Sequence, residues 1–513
     1  MFLLNYNLLC YNYTGEFMIK KINKYIIIFC FIISFVSLLI TSKNSFLYCF
    51  NDWVDANAFF TVGKSMFNNI ILYKDLFEQK GPLLYLIYGL GYLVSNKSFH
   101  GVFIIEVISF TIFLYFTHKI FKLYFNERYS ILFLPLLSFF VTTCPFFVHG
   151  GSCEEFCLPF IGGSLYYFIR YFKDKKLSNL EIFINGLFAG IVLLMKYTML
   201  GFWIGFGLFI VFDYFKKKDY KKIFMFCFFF LLGMFVPLII CSIYFIFNDA
   251  FKEFIDVYFI LNMTAYTEVE KTNIFIRLFE IIKYSIVELF NTKLLMLLIL
   301  LFFVSNLIDK KNNNLLFSLF GLIFTTVFFS FFGLKSYNYY NLPIYFLLII
   351  FNMIFICLYF NKYIKRFFIT KYIVLFFILF LSFVYIFSNN KDYIFMNKDD
   401  FVQYKYAKYI NKYENPTLLN MGFLDIGVYT LAGITPNTRF FEVQNFSYDK
   451  FRDNIDEMNS YVKNKKVKFI VYSNEYELDV PEYLFDYYET VYVDSYYYES
   501  RYYVSYLFKL KEL

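Results

Sequence analysis

The sequence predicts a polytopic α-helical membrane protein of about 11 to 13 helices, with a small C-terminal α/β domain outside the membrane. Three observations carry this. The chain is 59% hydrophobic and 17% charged, whereas soluble domains are roughly 45–50% apolar and about 25% charged. The apolar residues fall in runs of roughly 17–25 that repeat from Tyr25 to Ser388, the length a helix needs to cross a bilayer. Past Asp392 charges return, and short β-rich runs alternate with helical ones.

The rest of the composition excludes more than it suggests. The 78 Phe and 50 Tyr accompany abundant Lys and Asn; all four have AT-rich codons, so the bias is read as genomic. A net charge of +8 without an arginine-rich tract argues against nucleic acid and reports orientation instead. Nine cysteines lie mostly in apolar runs, where Cys behaves as a small hydrophobe. No Cys-x-x-Cys pair or zinc spacing occurs, and Cys153 and Cys157 read as lining residues. The C-terminal region has no Cys, so no disulfide is expected there.

Residues 1–22 read as an N-terminal cytoplasmic segment, with Met18 as the expected true start, because the basic flank appears only at Lys20, Lys21 and Lys24. These lysines precede a first span near Tyr25–Ile40 and place the N-terminus in the cytoplasm. A membrane domain then covers 23–390, with an outer loop over 43–82. In that loop Phe59, Val62, Met66, Ile70 and Leu72 recur at near-helical spacing, while Asp55, Lys64 and Asn68 are polar. The pattern predicts a short helix lying in the membrane interface.

Further spans are expected at Val102–Phe116, Ile131–Val148, Phe156–Phe172, Ile182–Leu194, Met199–Phe215, Ile223–Phe247, Leu294–Ile308, Leu315–Phe332, Leu342–Phe360 and Ile373–Phe387. Alternation puts the lysine-rich connectors Lys173–Lys176, Lys216–Lys222, Lys310–Lys311 and Lys362–Lys371 inside. Leu83–Val94 is short and carries Gly89 and Gly91. It is read as a half-crossing, which keeps the basic connector Lys119–Arg128 inside and leaves eleven full spans; a full crossing would give twelve or more. Residues 391–513 then lie outside as a soluble α/β domain, with strands at Thr417–Met421, Lys468–Tyr472, Thr490–Val493 and Val504–Leu510. Helices are expected near Asp399–Lys412 and Tyr448–Lys463, and the tyrosine-rich end Tyr496–Tyr506 reads as an edge hairpin or a glycan-stacking face.

The unusual polar residues gather in the outer loops. The first holds Asp52, Asp55, Asp75, Glu78 and Lys80; the second His149, Glu154 and Glu155; a short third turn Lys196 and Tyr197. The fourth, Asn248–Asn273, holds Asp256, Tyr258, Asn262, Tyr266 and Glu268, and the fifth Lys335 and a Tyr-Asn-Tyr-Tyr run. No nucleotide-binding, zinc-protease or serine-hydrolase motif occurs. Carboxylates outside and lysines near the lipid boundary suit a lipid-phosphate sugar donor. Lys80 or Lys196 would hold its phosphate, and an aspartate would take the acceptor hydroxyl's proton.

Asp55, Phe59, Val62 and Met66, followed by Tyr73, Asp75 and the Glu78-Gln79-Lys80-Gly81-Pro82 stretch, resemble the first outer loop of the GT-C class of integral-membrane glycosyltransferases. The branch is that of the protein O-mannosyltransferases, aminoarabinose transferases and RgtA/B/C/D-like proteins. GSCEEFCLPF at Gly151–Phe160 and the strand-rich C-terminal region are similar to its bacterial members. The resemblance implies a GT-C-like fold in a bacterial cytoplasmic membrane, with the site and C-terminal domain extracytoplasmic. It implies an inverting transferase, with Asp55 catalytic and Lys80 on the donor phosphate. Lys196, Glu78, Glu154, Glu155 and Tyr339 are further substrate-binding candidates. Tyr339 stands where many relatives have histidine, which puts that residue's usual role in doubt here.

The partners expected are a polyprenyl-phosphate-linked sugar, an acceptor that is a glycan, lipid or protein, and the bilayer, with no nucleic acid. No cofactor is required by this reading. Acidic loops of this type can bind a divalent metal, but no ligand set is evident. A lipid-linked glycan flippase or transporter and a polysaccharide polymerase are the alternatives. The first predicts polar residues along a path through the spans, and few are visible. The second usually keeps large basic loops outside, and here the outer loops are mixed or acidic.

Overall fold

The computed structural model describes residues 25–264, 274–308, 313–359, 373–475 and 480–512. The expected N-terminal segment and start at Met18, Tyr266 and Glu268, and the connectors at Lys310–Lys311 and 362–371 lie outside the described residues.

Each of the eleven expected spans forms a helix. They are α1 (Ile26–Thr41), α4 (His100–Lys122), α5 (Glu127–Thr143), α6 (Cys153–Asp174), α7 (Asn179–Leu193), α8 (Gly201–Lys216, entered through a 3-10 turn at Tyr197–Leu200), α9 (Tyr220–Phe247), α11 (Lys293–Ile308), α12 (Asn313–Ser330), α13 (Leu342–Tyr359) and α14 (Ile373–Phe387). Between α1 and α4 lie α2 (Val54–Met66) and α3 (Pro82–Tyr92). Among the described residues, four helices are long and apolar enough to cross a membrane, or five if one bent pair counts as a single span. That pair is α10 (Ile274–Asn291) and α11, which meet at 97°. The sequence reading missed α10 because Arg277, Glu280, Lys283 and Glu288 interrupt its apolar run.

The starts of these helices follow from local chemistry. Ser178 accepts a hydrogen bond from the Glu181 N–H while Glu181 accepts one from Ser178, a capping box that opens α7. Ser152 caps α6 in the same way through Glu155 N–H, at 3.1 Å. Pro82 opens α3 at a position where a missing N–H costs nothing. At 11 residues, α3 is about 16 Å long, half of a bilayer's hydrocarbon core.

The chain folds into two compact units. The first comprises residues 1–42, 106–238 and 269–391. In it α8 lies along α12, α1 along α5 and α11 along α13. A buried Ser37–Ser138 hydroxyl pair at 2.8 Å ties α1 to α5.

The second unit comprises residues 43–105, 239–268 and 392–513. Its sheet has strands β1 (Leu418–Met421), β2 (Phe469–Glu475), β3 (Tyr488–Tyr498) and β4 (Arg501–Leu510) in the order β1-β2-β4-β3. β1 and β2 are parallel and the other pairs antiparallel. Helices α15 (Val402–Ile410), α16 (Val428–Ala432), α17 (Arg452–Lys463) and α18 (Glu482–Tyr487) accompany it. The tyrosine-rich end is the β3–β4 hairpin, with β3 at the sheet's edge. β3 starts two residues before, and runs five past, the expected Thr490–Val493. Glu499 and Ser500 at its turn both have positive φ, 47° and 65°. Such a turn matches the strands' right-handed twist.

The expectation that α2 is a short helix lying in the membrane interface is corrected. Except for half-buried Asp55, every residue from Val54 to Ser65 is buried. Asn57, Thr61 and Lys64, which make up its polar side, find partners inside the second unit. Gly63 lets α3 approach closely: a Cβ there would sit 2.5 Å from the Gly89 nitrogen and the Tyr85 oxygen.

Candidate active site

In the second unit, two aspartates three residues apart have different surroundings. Asp52 forms an ion pair with Lys43 at 2.5 Å, both buried, and the Lys43 ammonium lies 3.3 Å from the centre of the Tyr393 ring. Burial lowers the Lys43 pKa, and Asp52 opposes this. Asp55 sits in the first turn of α2, half-buried, where the helix N-terminus favours a carboxylate.

Lys80 is presented by a pinned backbone. Its N–H donates to the Glu78 carboxylate at 3.0 Å and to the Tyr85 hydroxyl at 2.8 Å. Its carbonyl accepts from the Tyr73 hydroxyl at 2.6 Å. One residue earlier, the Gln79 carbonyl accepts from Asn262 at 2.7 Å. Tyr73 adopts a left-handed φ of 69°, which a bulky residue seldom does. Its ring is held against Phe245 and Phe254, at 5.5 and 6.1 Å. Glu78 is in electrostatic reach of both Lys80 and Asp55; burial raises its pKa, Lys80 lowers it, and Asp55 adds to the rise. Asp55 and Lys80 are thus each set about Glu78.

The sequence reading missed two further acids here, Asp425 and Glu442. Thr61 donates to Asp425 at 2.7 Å, and the Asp425 N–H donates to Glu442 at 2.5 Å. Lys64 donates to the Tyr429 carbonyl at 3.1 Å. Burial pushes Glu442 well above the usual carboxylate range, and Glu78 and Asp425 push it the same way. Burial lifts Asp425 to about 6, against hydrogen bonds from Thr61 and Gly427. Burial lowers Lys64 to about 7, against the attraction of Asp425.

The pH dependence follows from these shifts. The folded state keeps a proton on Asp425 that the unfolded state loses, so stability falls as pH rises from 3.8 to about 6. Lys64 releases its proton earlier when folded, so stability rises as pH goes from about 7 to 10.5. Thermal unfolding against pH is expected to show the falling limb in the parent protein and a flattened one in Asp425→Asn. The same slope in both would remove Asp425 from this role.

In the first unit, Lys196 forms an ion pair with Glu154, which is fully buried in the first turn of α6. The Lys196 ammonium also lies 3.2 Å from the Tyr340 ring centre and 5.9 Å from that of Tyr339. Glu155 accepts from the Gly151 N–H at 2.8 Å and lies beside Glu106. Glu106 also accepts from Ser42 at 2.8 Å. Glu154, Glu155, Lys196 and Tyr339 therefore fall in one region of this unit. Glu106 escaped the sequence reading because it lies inside an expected span. Cys153 and Cys157 are free and buried. Helices α10 to α13 enclose an apolar cavity of about 400 Å³, lined by Ile286, Phe290, Phe303, Phe324 and Leu348 among others.

The model of the dolichyl-phosphate-mannose-protein mannosyltransferase family matches residues 79–246. The fold is similar to that of ArnT from Cupriavidus metallidurans, in a crystal structure with undecaprenyl phosphate bound. The TM-score is 0.57 at 11% identity, over 94% of this chain and 98% of that one. The chain has the GT-C fold. It is a multi-pass membrane protein with a small C-terminal sheet. No curated protein matches the sequence. Among the described residues no group of three or more His, Cys, Asp or Glu is arranged to hold a metal ion.

Proposed function

We propose that this protein is a membrane glycosyltransferase that moves a sugar from a polyprenyl-phosphate donor to an acceptor at the extracytoplasmic face. The observation that carries the reading is the grouping of Asp55 with a backbone-pinned Lys80 on a GT-C fold. Asp55 takes the proton of the acceptor hydroxyl as its oxygen bonds to the sugar's anomeric carbon. The bond from that carbon to the phosphate oxygen breaks, with inversion, and polyprenyl phosphate leaves with the electron pair. Lys80 balances the charge that grows on the phosphate. Glu78 shapes the polar surroundings of donor and acceptor; Lys196, Glu154, Glu155 and Tyr339 are the substrate-binding candidates of the first unit.

The test is transfer by the purified protein in lipid vesicles from a panel of radiolabelled polyprenyl-phosphate monosaccharides, with neither nucleotide sugar nor lipid-linked oligosaccharide present. Release of polyprenyl phosphate coupled to labelled product supports the reading. Movement of the lipid across the vesicle without chemistry, or activity only on lipid-linked oligosaccharides, overturns it.

A further inference from the structure

The 392–513 segment reaches the first outer loop within the second unit, and it does so at α2. At the tip of the β3–β4 hairpin, Tyr498 is buried, its ring 6.0 Å from Phe423 and 6.2 Å from Tyr503. Its phenol lies beside the Val54 N–H, the first of α2 and the residue before Asp55. No side chain at the position preceding the helix caps it, and an uncapped helix start leaves such donors without partners. The phenol is in electrostatic reach of Asp55 and Asp52.

A second hold lies further along the helix. Asp425 receives the Thr61 hydroxyl at 2.7 Å with one oxygen and the Gly427 N–H at 2.8 Å with the other. Gly427, at φ 99°, comes so near α2 that a Cβ there would meet Asn57 Oδ1 at 2.7 Å and the Phe50 ring at 2.4 Å. Lys64 closes the next turn on the Tyr429 carbonyl. The helix is gripped at its first, second and third turns by residues more than 360 positions downstream.

We propose that the C-terminal segment is part of the transfer site, with Tyr498 and Asp425 as positioning residues that fix α2 and so aim the Asp55 carboxylate. This rests on the function proposed above. A base displaced by about 1 Å can cost on the order of 100-fold in rate, so the grip acts on turnover more than on substrate affinity.

The experiment compares Tyr498→Phe, Thr61→Val and Thr61→Ser with the parent protein in vesicles, using the polyprenyl-phosphate monosaccharide it accepts. Tyr498→Phe and Thr61→Val are expected to lower kcat by about 10- to 100-fold, with KM for the donor within twofold. Thr61→Ser, which keeps the hydroxyl, restores kcat. Hydrogen exchange at Val54 and its neighbours is expected to rise in Tyr498→Phe while the β-sheet stays protected, which separates local release from unfolding. If both variants keep kcat within twofold while Asp55→Asn is inactive, the positioning inference falls and the function stands. If Asp55→Asn is fully active, the assignment of the base falls, and this inference with it.

Discussion

Asp55→Asn is expected to lower sugar transfer by about 10²- to 10⁴-fold, the usual contribution of a general base, while the protein stays folded in the membrane. The amide matches the carboxylate in shape and cannot take the acceptor's proton. Its structural cost is small: a carboxylate in the first turn of a helix contributes about 0.3–1 kcal/mol, and Asp55 is half-buried. Asp52→Asn is the informative contrast. It breaks the buried pair with Lys43 and leaves a cation without its counter-charge, a loss of about 3–5 kcal/mol. Asp52→Asn should therefore lower the melting temperature, whereas Asp55→Asn should lower turnover at nearly unchanged melting temperature. Transfer rates and thermal unfolding on the same preparations read both. Parent-like transfer by Asp55→Asn would end its role as base.

Lys80→Gln is expected to raise KM for the donor by about 10- to 100-fold, because a hydrogen bond to a charged group contributes about 1.5–3 kcal/mol. The effect should be confined to the side chain. Tyr73, Glu78 and Tyr85 all bind the backbone of Lys80, so the loop keeps its shape when the ammonium is gone. Lys196→Gln would not be so clean. Glu154 is fully buried and paired with Lys196, and losing the cation strands a carboxylate in a low-dielectric site. That variant should lose stability before any effect on the donor can be read. A donor KM for Lys80→Gln within twofold of the parent would assign the phosphate to another residue.

Much of this was legible from residue order. The eleven apolar runs became helices because length and hydropathy alone decide whether a segment suits a bilayer. Phe59, Val62, Met66, Ile70 and Leu72 marked a helix in the first loop, and one formed at Val54–Met66, ending before Ile70 and Leu72. The environment of that helix was not legible. Lys64 stands in the sequence as one polar position of that helix, yet it is buried, and Tyr429 and Asp425 meet it from far along the chain. Asp425 and Glu442 lie in a stretch without local periodicity, so no pattern marked them. Glu106 was hidden by the apolar run around it, and α10 by the charges that interrupt its own. Local spacing reports a segment's type; it does not report which distant backbone atom will accept its protons.

The second unit is assembled from segments at the beginning, middle and end of the chain. Thr61 and Asp425 are 364 residues apart, so at roughly 5–20 residues per second the ribosome delivers the later one some 20–70 s after the earlier. Throughout that interval the Lys64 ammonium and the Thr61 hydroxyl have no mature partners. Maturation of α2 is thereby tied to the arrival of the segment that carries Asp425 and Tyr429. A chain released early would carry its membrane helices but not a finished α2, and it would offer quality-control proteases an unsatisfied polar segment.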